Sequence, residues 1–292
     1  MSRDKKVEKK LKEELQGKKK RNNALLASPY IIWMAIFIIV PLFMIAYYGL
    51  TDKENGSFTL ANIKLILDPV NLKALWLSIR LSVISTLICL LLAYPIAMIL
   101  RSLNMKRSSF IVFIFILPMW MNFLLRTIAW QNILERNGIL NTILSFLHLP
   151  TLNIINTSAA IILGMVYNYL PFMILPIYNV LIKIDNNVIN AARDLGANGL
   201  QTLLKITLPL SLPGVISGIT MVFVPSLTTF VISNILGGNK VVLIGNVIEQ
   251  QFKVVNNRNA GAGLSLVLMV FVLASMALLS KYDKEAEGKS IW

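Results

Sequence analysis

Apolar residues along this chain come in long unbroken runs rather than in the short alternations of a soluble fold. The first run, Pro29 to Leu50, is 22 residues long and holds no charged side chain. A helix needs about 20 residues to cross the hydrocarbon core of a bilayer, so this run predicts a membrane span over 29–50. Five further runs meet the same length, over about 72–100, 110–130, 159–182, 210–236 and 260–280. The predicted fold class is an all-α membrane protein with six transmembrane helices filling residues 29–281. A basic tail, 1–28, precedes them and a short tail, 282–292, follows.

The polar stretch between the fourth and fifth runs is unlike a plain connector. Asp185 to Asn187 offer N-cap side chains, Val188 to Leu195 reads as a short helix, and Gly196 supplies a left-handed stop. A second short helix is predicted from near Asn198 to Leu208, with Pro209 opening the next segment. The result is a helix–turn–helix hook over 185–209. Its small residues Ala191 and Ala192 would let another protein approach closely.

Composition agrees with a membrane protein. Of 292 residues 56% are hydrophobic and 14% charged, with a mean hydropathy of +0.68. Soluble domains carry about 25% charged residues. The net charge of +14 does not point to nucleic acid, because the basic residues gather at the ends of apolar runs. The N-terminal tail, the 101–108 loop, the 183–209 loop and the stretch from Lys281 onward hold 19 Lys and Arg residues, against 6 in the loops on the other side. Positive charge is retained on the cytoplasmic face, so both termini and the hook are expected there, in a bacterial cell membrane.

Candidate chemistry is sparse. The sequence contains no G-x-x-x-x-G-K-[ST] phosphate loop, no H-E-x-x-H and no G-x-S-x-G. One cysteine, Cys89, and one histidine, His148, leave no set for a Cys/His zinc site. All 14 acids fall outside the predicted spans, which argues against an ion-coupled carrier. No catalytic residue, metal site or bound cofactor is therefore expected in this chain.

The third and fourth runs are the unusual ones. They contain LPMWMNFLLR (117–126) and YNYLPFMILPIYN (167–179), in which Pro118, Pro171 and Pro176 interrupt the backbone ladder. Asn168, Phe172 and Asn179 share a helical face, with Tyr167 beside them. Such a polar and aromatic seam suits a pathway for an amine, or equally glue between helices and an interfacial aromatic belt. Trp120 and Asn122 of the third run, and Thr228 after Pro225 in the fifth, complete the candidate pathway. Arg126 reads as structural, near a helix C-terminus and within reach of Glu135.

The spacing inside the hook resembles the coupling loop of ABC importer permeases. That loop reads Glu-Ala-Ala, three residues, Gly, nine residues, Ile-x-Leu-Pro. This chain matches it through Ala191, Ala192, Gly196, Ile206, Leu208 and Pro209, with Asp194 and Leu195 between. It departs at Asn190, where the motif has Glu. The segments GMVYNYLPFMILPIYNVLIKID, AARDLGA, ITLPLSLPGVISGI and LGGNKVVLIGNVIEQQF extend the likeness to spermidine/putrescine importer permeases of the PotB type. The resemblance implies the type I permease fold and a complex with a second, homologous permease, an extracellular polyamine-binding protein and a cytoplasmic ATPase homodimer. ATP and Mg would be bound by that ATPase, and the 185–209 loop would couple to it. The alternatives are a permease for another small solute in the same superfamily, and an ATP-independent carrier or channel.

Overall fold

The computed structural model describes residues 28–103 and 105–289. The basic tail falls outside the described residues except for Ser28. Five helices are long and apolar enough to cross a membrane, and a strongly bent helix pair makes a sixth crossing if counted as one. They are α1 (Ser28–Gly49), α3 (Pro69–Ser102), α7 (Ser158–Leu181), α9 (Gly199–Thr228) and α12, whose apolar part is Arg258–Lys281. Shorter helices lie between them: α2 (Ala61–Lys64), α4 (Met105–Ile116), α5 (Phe123–Leu134), α6 (Ile139–Phe146), α8 (Asn186–Asp194), α10 (Val231–Gly237) and α11 (Ile244–Lys253).

The core is a bundle of α3, α7 and α9. In a bilayer, helices associate through close packing rather than by expelling water, and the sequence supplies small side chains at the contact. Ser78, Ser82, Ser85, Cys89, Ala93 and Ala97 form the buried stripe of α3. On α9, a Cβ added at Gly214 would lie 2.8 Å from the Pro176 carbonyl oxygen of α7. Only glycine permits that approach. A second layer packs α1 along α12, where Gly49, the one buried residue of α1, meets the Ala262 backbone. Asn259 locks the end of α1 to the start of α12 by donating to the carbonyls of Tyr48 (3.0 Å) and Thr51 (2.7 Å).

Two spans differ from the sequence expectation. The third, predicted as one helix over 110–130, is broken. α4 tightens into a 3₁₀ turn at Leu117–Trp120, and the following helical segment leaves at 92°. Pro118 begins the break, and Asn122 restarts the chain as α5 by accepting from the Leu124 (2.9 Å) and Leu125 (3.3 Å) amides.

The fifth span, predicted over 210–236, begins eleven residues earlier. α9 runs without interruption from the hook to Thr228, and the chain then breaks at Thr229 before α10. Pro209 does not end a helix because a π turn, Leu203–Thr207, precedes it. Within that turn the Leu208 amide reaches back five residues to the Leu203 carbonyl. This register shift makes room for the proline that follows. Pro41 of α1 uses the same device, with a π turn at Ala35–Ile39 and the Val40 amide bonded to the Ala35 carbonyl. α7 also stays one helix through Pro171 and Pro176.

Candidate functional site

The hook is built by its caps. Asp185 accepts from the Asn187 amide (2.9 Å) and starts α8. Gly196, at φ +88°, stops it, as the Gly196 amide bonds to the Arg193 carbonyl (2.9 Å) and the Ala197 amide to that of Ala192 (3.0 Å). Asn198 then opens α9 in a reciprocal capping box with Gln201. Arg101, at the end of α3, fastens the hook to the bundle by donating through Nη2 to the Ile184 carbonyl (2.9 Å) and Asn186 Oδ1 (3.1 Å).

The two alanines do not share a face. Ala192 is 7% exposed and turned into this chain, whereas Ala191 is exposed. The outward stripe of α8 is Val188, Ala191 and Leu195, spaced three and four apart, and Leu195 is 90% exposed. Leu200 and Leu204 continue the exposed apolar surface onto α9, while Asn190 and Asp194 are exposed beside it. Ile206 and Leu208 are half-buried and Pro209 exposed, all within the continuous helix rather than at its end. Apolar side chains displayed in this way on a polar hook make a surface shaped for a protein partner.

At the far end of α9 lies a cavity of about 490 Å³, bounded by α11 and α12. Thr228, Phe230, Glu249, Phe252 and Lys253 contribute to its wall. Gly245 lets the start of α11 sit on the break after α9, since a Cβ there would lie 2.8 Å from the Thr228 carbonyl oxygen. A chain of side-chain bonds then fixes Glu249. Asn246 donates to the Phe230 carbonyl (3.1 Å) and to Asn234 Oδ1 (2.6 Å), and Asn234 donates to Glu249 Oε2 (2.7 Å). The other carboxylate oxygen accepts from Lys253 Nζ at 2.8 Å. That ammonium also lies 5.7 Å from the centre of the Phe230 ring. The Glu249 side chain is 18% exposed and that of Lys253 70%. The wall thus offers a carboxylate and an aromatic face to one primary amine.

The candidate pathway read from the sequence does not include this pair. The i, i+4 spacing of Glu249 and Lys253 was the available signal.

The predicted pathway residues are not gathered into one site. Thr228 lines the cavity. Tyr167 lies elsewhere, against the Trp130 ring (5.1 Å between centres) and under the Arg126 guanidinium (5.8 Å). Arg126, 8% exposed, donates through Nη1 to the Pro118 carbonyl (2.6 Å) instead of pairing with Glu135. Asn168 is 1% exposed and donates to the Gly164 carbonyl (2.8 Å), one turn from where Gly164 packs on Ile232 and Leu236 of α10. Phe172 and Asn179 continue its stripe but are exposed. Trp120 is exposed at the elbow, edge-on to Phe113, and Asn122 is a helix cap. The shared face of Asn168, Phe172 and Asn179 is therefore covered at one end and open at the other.

Residues 90–284, which include the hook, the cavity and all of the core bundle except residues 69–89 of α3, match the family of binding-protein-dependent transport system inner membrane components. The chain belongs to that family. It is 37% identical to the spermidine/putrescine transport system permease protein PotB of Haemophilus influenzae, over 85% of this chain and 87% of that protein. Against PotB of Escherichia coli K12 it is also 37% identical, over 87% and 98%. Among solved structures, a bacterial ABC transporter involved in import of the acidic polysaccharide alginate superposes with a TM-score of 0.78. The likeness covers 93% of this chain and 99% of that one at 16% identity, and establishes a shared fold. The protein is accordingly a membrane permease of the type I ABC importer fold, and its relatives are transport components rather than enzymes.

Proposed function

We propose that this chain is one half of the translocation path of an ATP-driven polyamine importer, with spermidine and putrescine as its substrate class. The observation that carries the reading is the course of α9. This helix begins inside the hook and ends at the wall of the cavity that holds Glu249 and Phe230. Its 30 residues amount to about 45 Å of helix, so one continuous helix joins a protein-docking surface to a ligand-facing one. The names of the PotB relatives supply the substrate class.

In this arrangement the chain crosses the membrane six times, the bent α4–α5 pair counting as one crossing. Both termini and the hook face the cytoplasm. The exposed stripe of Val188, Ala191 and Leu195 docks an ATPase homodimer that holds ATP and Mg, and a second permease completes the path. An external binding protein delivers the polyamine to the opposite face. Closure of the ATPases on ATP moves the hooks, and α9 carries that movement to the cavity. There Glu249 and Phe230 receive an ammonium group by charge and cation–π attraction. Weak binding suits the step, because a transporter must release what it takes up.

Labelled spermidine uptake into proteoliposomes holding the whole complex tests the proposal. Uptake that requires ATP and the binding protein supports it. Uptake by this chain alone, without ATP, assigns it to the carriers instead.

A further inference from the structure

A second cavity, of about 450 Å³, lies at the root of the hook. Its wall includes Arg101 and Ser102 from the end of α3, Asn190 and Arg193 from α8, and Thr202 from α9. Two arginines, Arg101 and Arg193, line this space, and no Asp or Glu does. Among the described residues neither arginine has an ion pair. Arg101 is half-buried, and both of its hydrogen bonds use Nη2, so Nη1 and Nε remain available.

The sequence explains the imbalance. Asn190 stands where the related loop motif carries Glu, and residue 190 is part of this wall. A carboxylate there would neutralise the cavity from within. Asparagine leaves both arginines in the wall without an anion, and the half-buried Arg101 is a partly desolvated charge that calls for a counter-charge.

We propose that this cavity is an anion site that takes a phosphate group, with Arg101 and Arg193 as its ligands. Guanidinium forks match the paired oxygens of phosphate. The cavity also sits where the apolar run of α3 ends, at the level of lipid headgroups, so the phosphate comes from an anionic lipid or from a free phosphate species. The site supplies from outside the negative charge that the motif elsewhere carries in its Glu, and it ties the hook to α3.

The test follows thermal unfolding of the full-length chain in detergent by tryptophan fluorescence. Inorganic phosphate is titrated in one arm. Phosphatidylglycerol, against phosphatidylcholine as control, is titrated in the other. A saturable rise in the midpoint is expected. A rise with inorganic phosphate identifies a free-anion site, and a rise confined to phosphatidylglycerol identifies a headgroup site. Arg193→Gln should raise the half-saturating concentration by at least ~10-fold, and Asn190→Glu should abolish the effect. Both positions are exposed, so both variants keep the fold, whereas Arg101→Gln would also loosen the hook. No rise in either arm overturns the proposal, as does an equal rise in wild type and both variants. A rise produced only by added ATPase subunit would assign the cavity to a partner carboxylate and overturn it too. None of these readouts involves transport, so the outcome is independent of the polyamine reading.

Discussion

Lys253 holds its ammonium group 2.8 Å from Glu249 Oε1 and 5.7 Å from the centre of the Phe230 ring. The chain thereby places a primary amine of its own where a substrate amine would bind. With Lys253 largely exposed, the pair itself contributes little stability, so its weight falls on ligand binding. Glu249→Gln should raise the half-saturating spermidine concentration for transport by roughly tenfold, the worth of one charge-assisted hydrogen bond. Lys253→Met removes the internal competitor and should lower it. The two variants measured side by side check the assignment, and equal behaviour in both would remove Glu249 from the path.

The hook makes a different prediction. Leu195→Asp sets a charge on its most exposed apolar residue, and ATPase association should be lost while membrane insertion and unfolding temperature stay unchanged. Ala192→Asp should act otherwise, since Ala192 is turned into this chain. A buried carboxylate there disrupts the hook itself, seen as increased proteolysis within 185–209. Co-purification with the ATPase, alongside limited proteolysis, separates the two effects.

At the elbow of the third span, the Pro118 carbonyl accepts from the Met121 amide (3.2 Å) and takes a second hydrogen bond from Arg126. Arg126→Met removes that second bond while the Met121 amide keeps the carbonyl paired, and should cost about 0.5–1.5 kcal/mol, read as a lower unfolding midpoint in detergent. Arg126→Lys should recover part of the loss through a single ammonium donor. A full-stability Arg126→Met protein would show that the elbow is held by other contacts.

Gly214 marks a close approach of α9 to the α7 backbone. In Gly214→Ala the new Cβ would meet the Pro176 carbonyl oxygen at 2.8 Å, and backbone cannot step aside as a flexible side chain can. The variant should push α9 away from α7, lowering the unfolding temperature and weakening coupling together. Thermal unfolding and stimulated ATP hydrolysis on the same preparation check both consequences.

Much of this architecture is legible in the sequence, and the exceptions have physical causes. The charge-free run 159–182 lies within one residue of α7 at each end, and the run 72–100 lies inside α3, because bilayer thickness dictates run length. Hydropathy reports length and not direction, so the 92° turn after Trp120 was invisible apart from Pro118 and the capping Asn122. Pro209 suggested a boundary because proline removes an amide donor, and only the backbone reveals the π turn that absorbs it. In the hook, caps and the glycine stop were readable. Which alanine faces outward was not, since it depends on how α8 lies against the rest of the chain. The cavity wall joins Phe230, Glu249 and Lys253 across a chain break, and no single periodic segment records that meeting.

The central claim is that α9 links an ATPase-docking hook to an amine-binding cavity. Its most direct test is ATP hydrolysis by the reconstituted complex in lipid, with its binding protein, with and without spermidine or putrescine. The account predicts that polyamine raises hydrolysis, that Leu195→Asp returns it to the basal rate, and that Glu249→Gln shifts the stimulation to higher polyamine concentration. Stimulation that is unchanged in both variants would contradict the account.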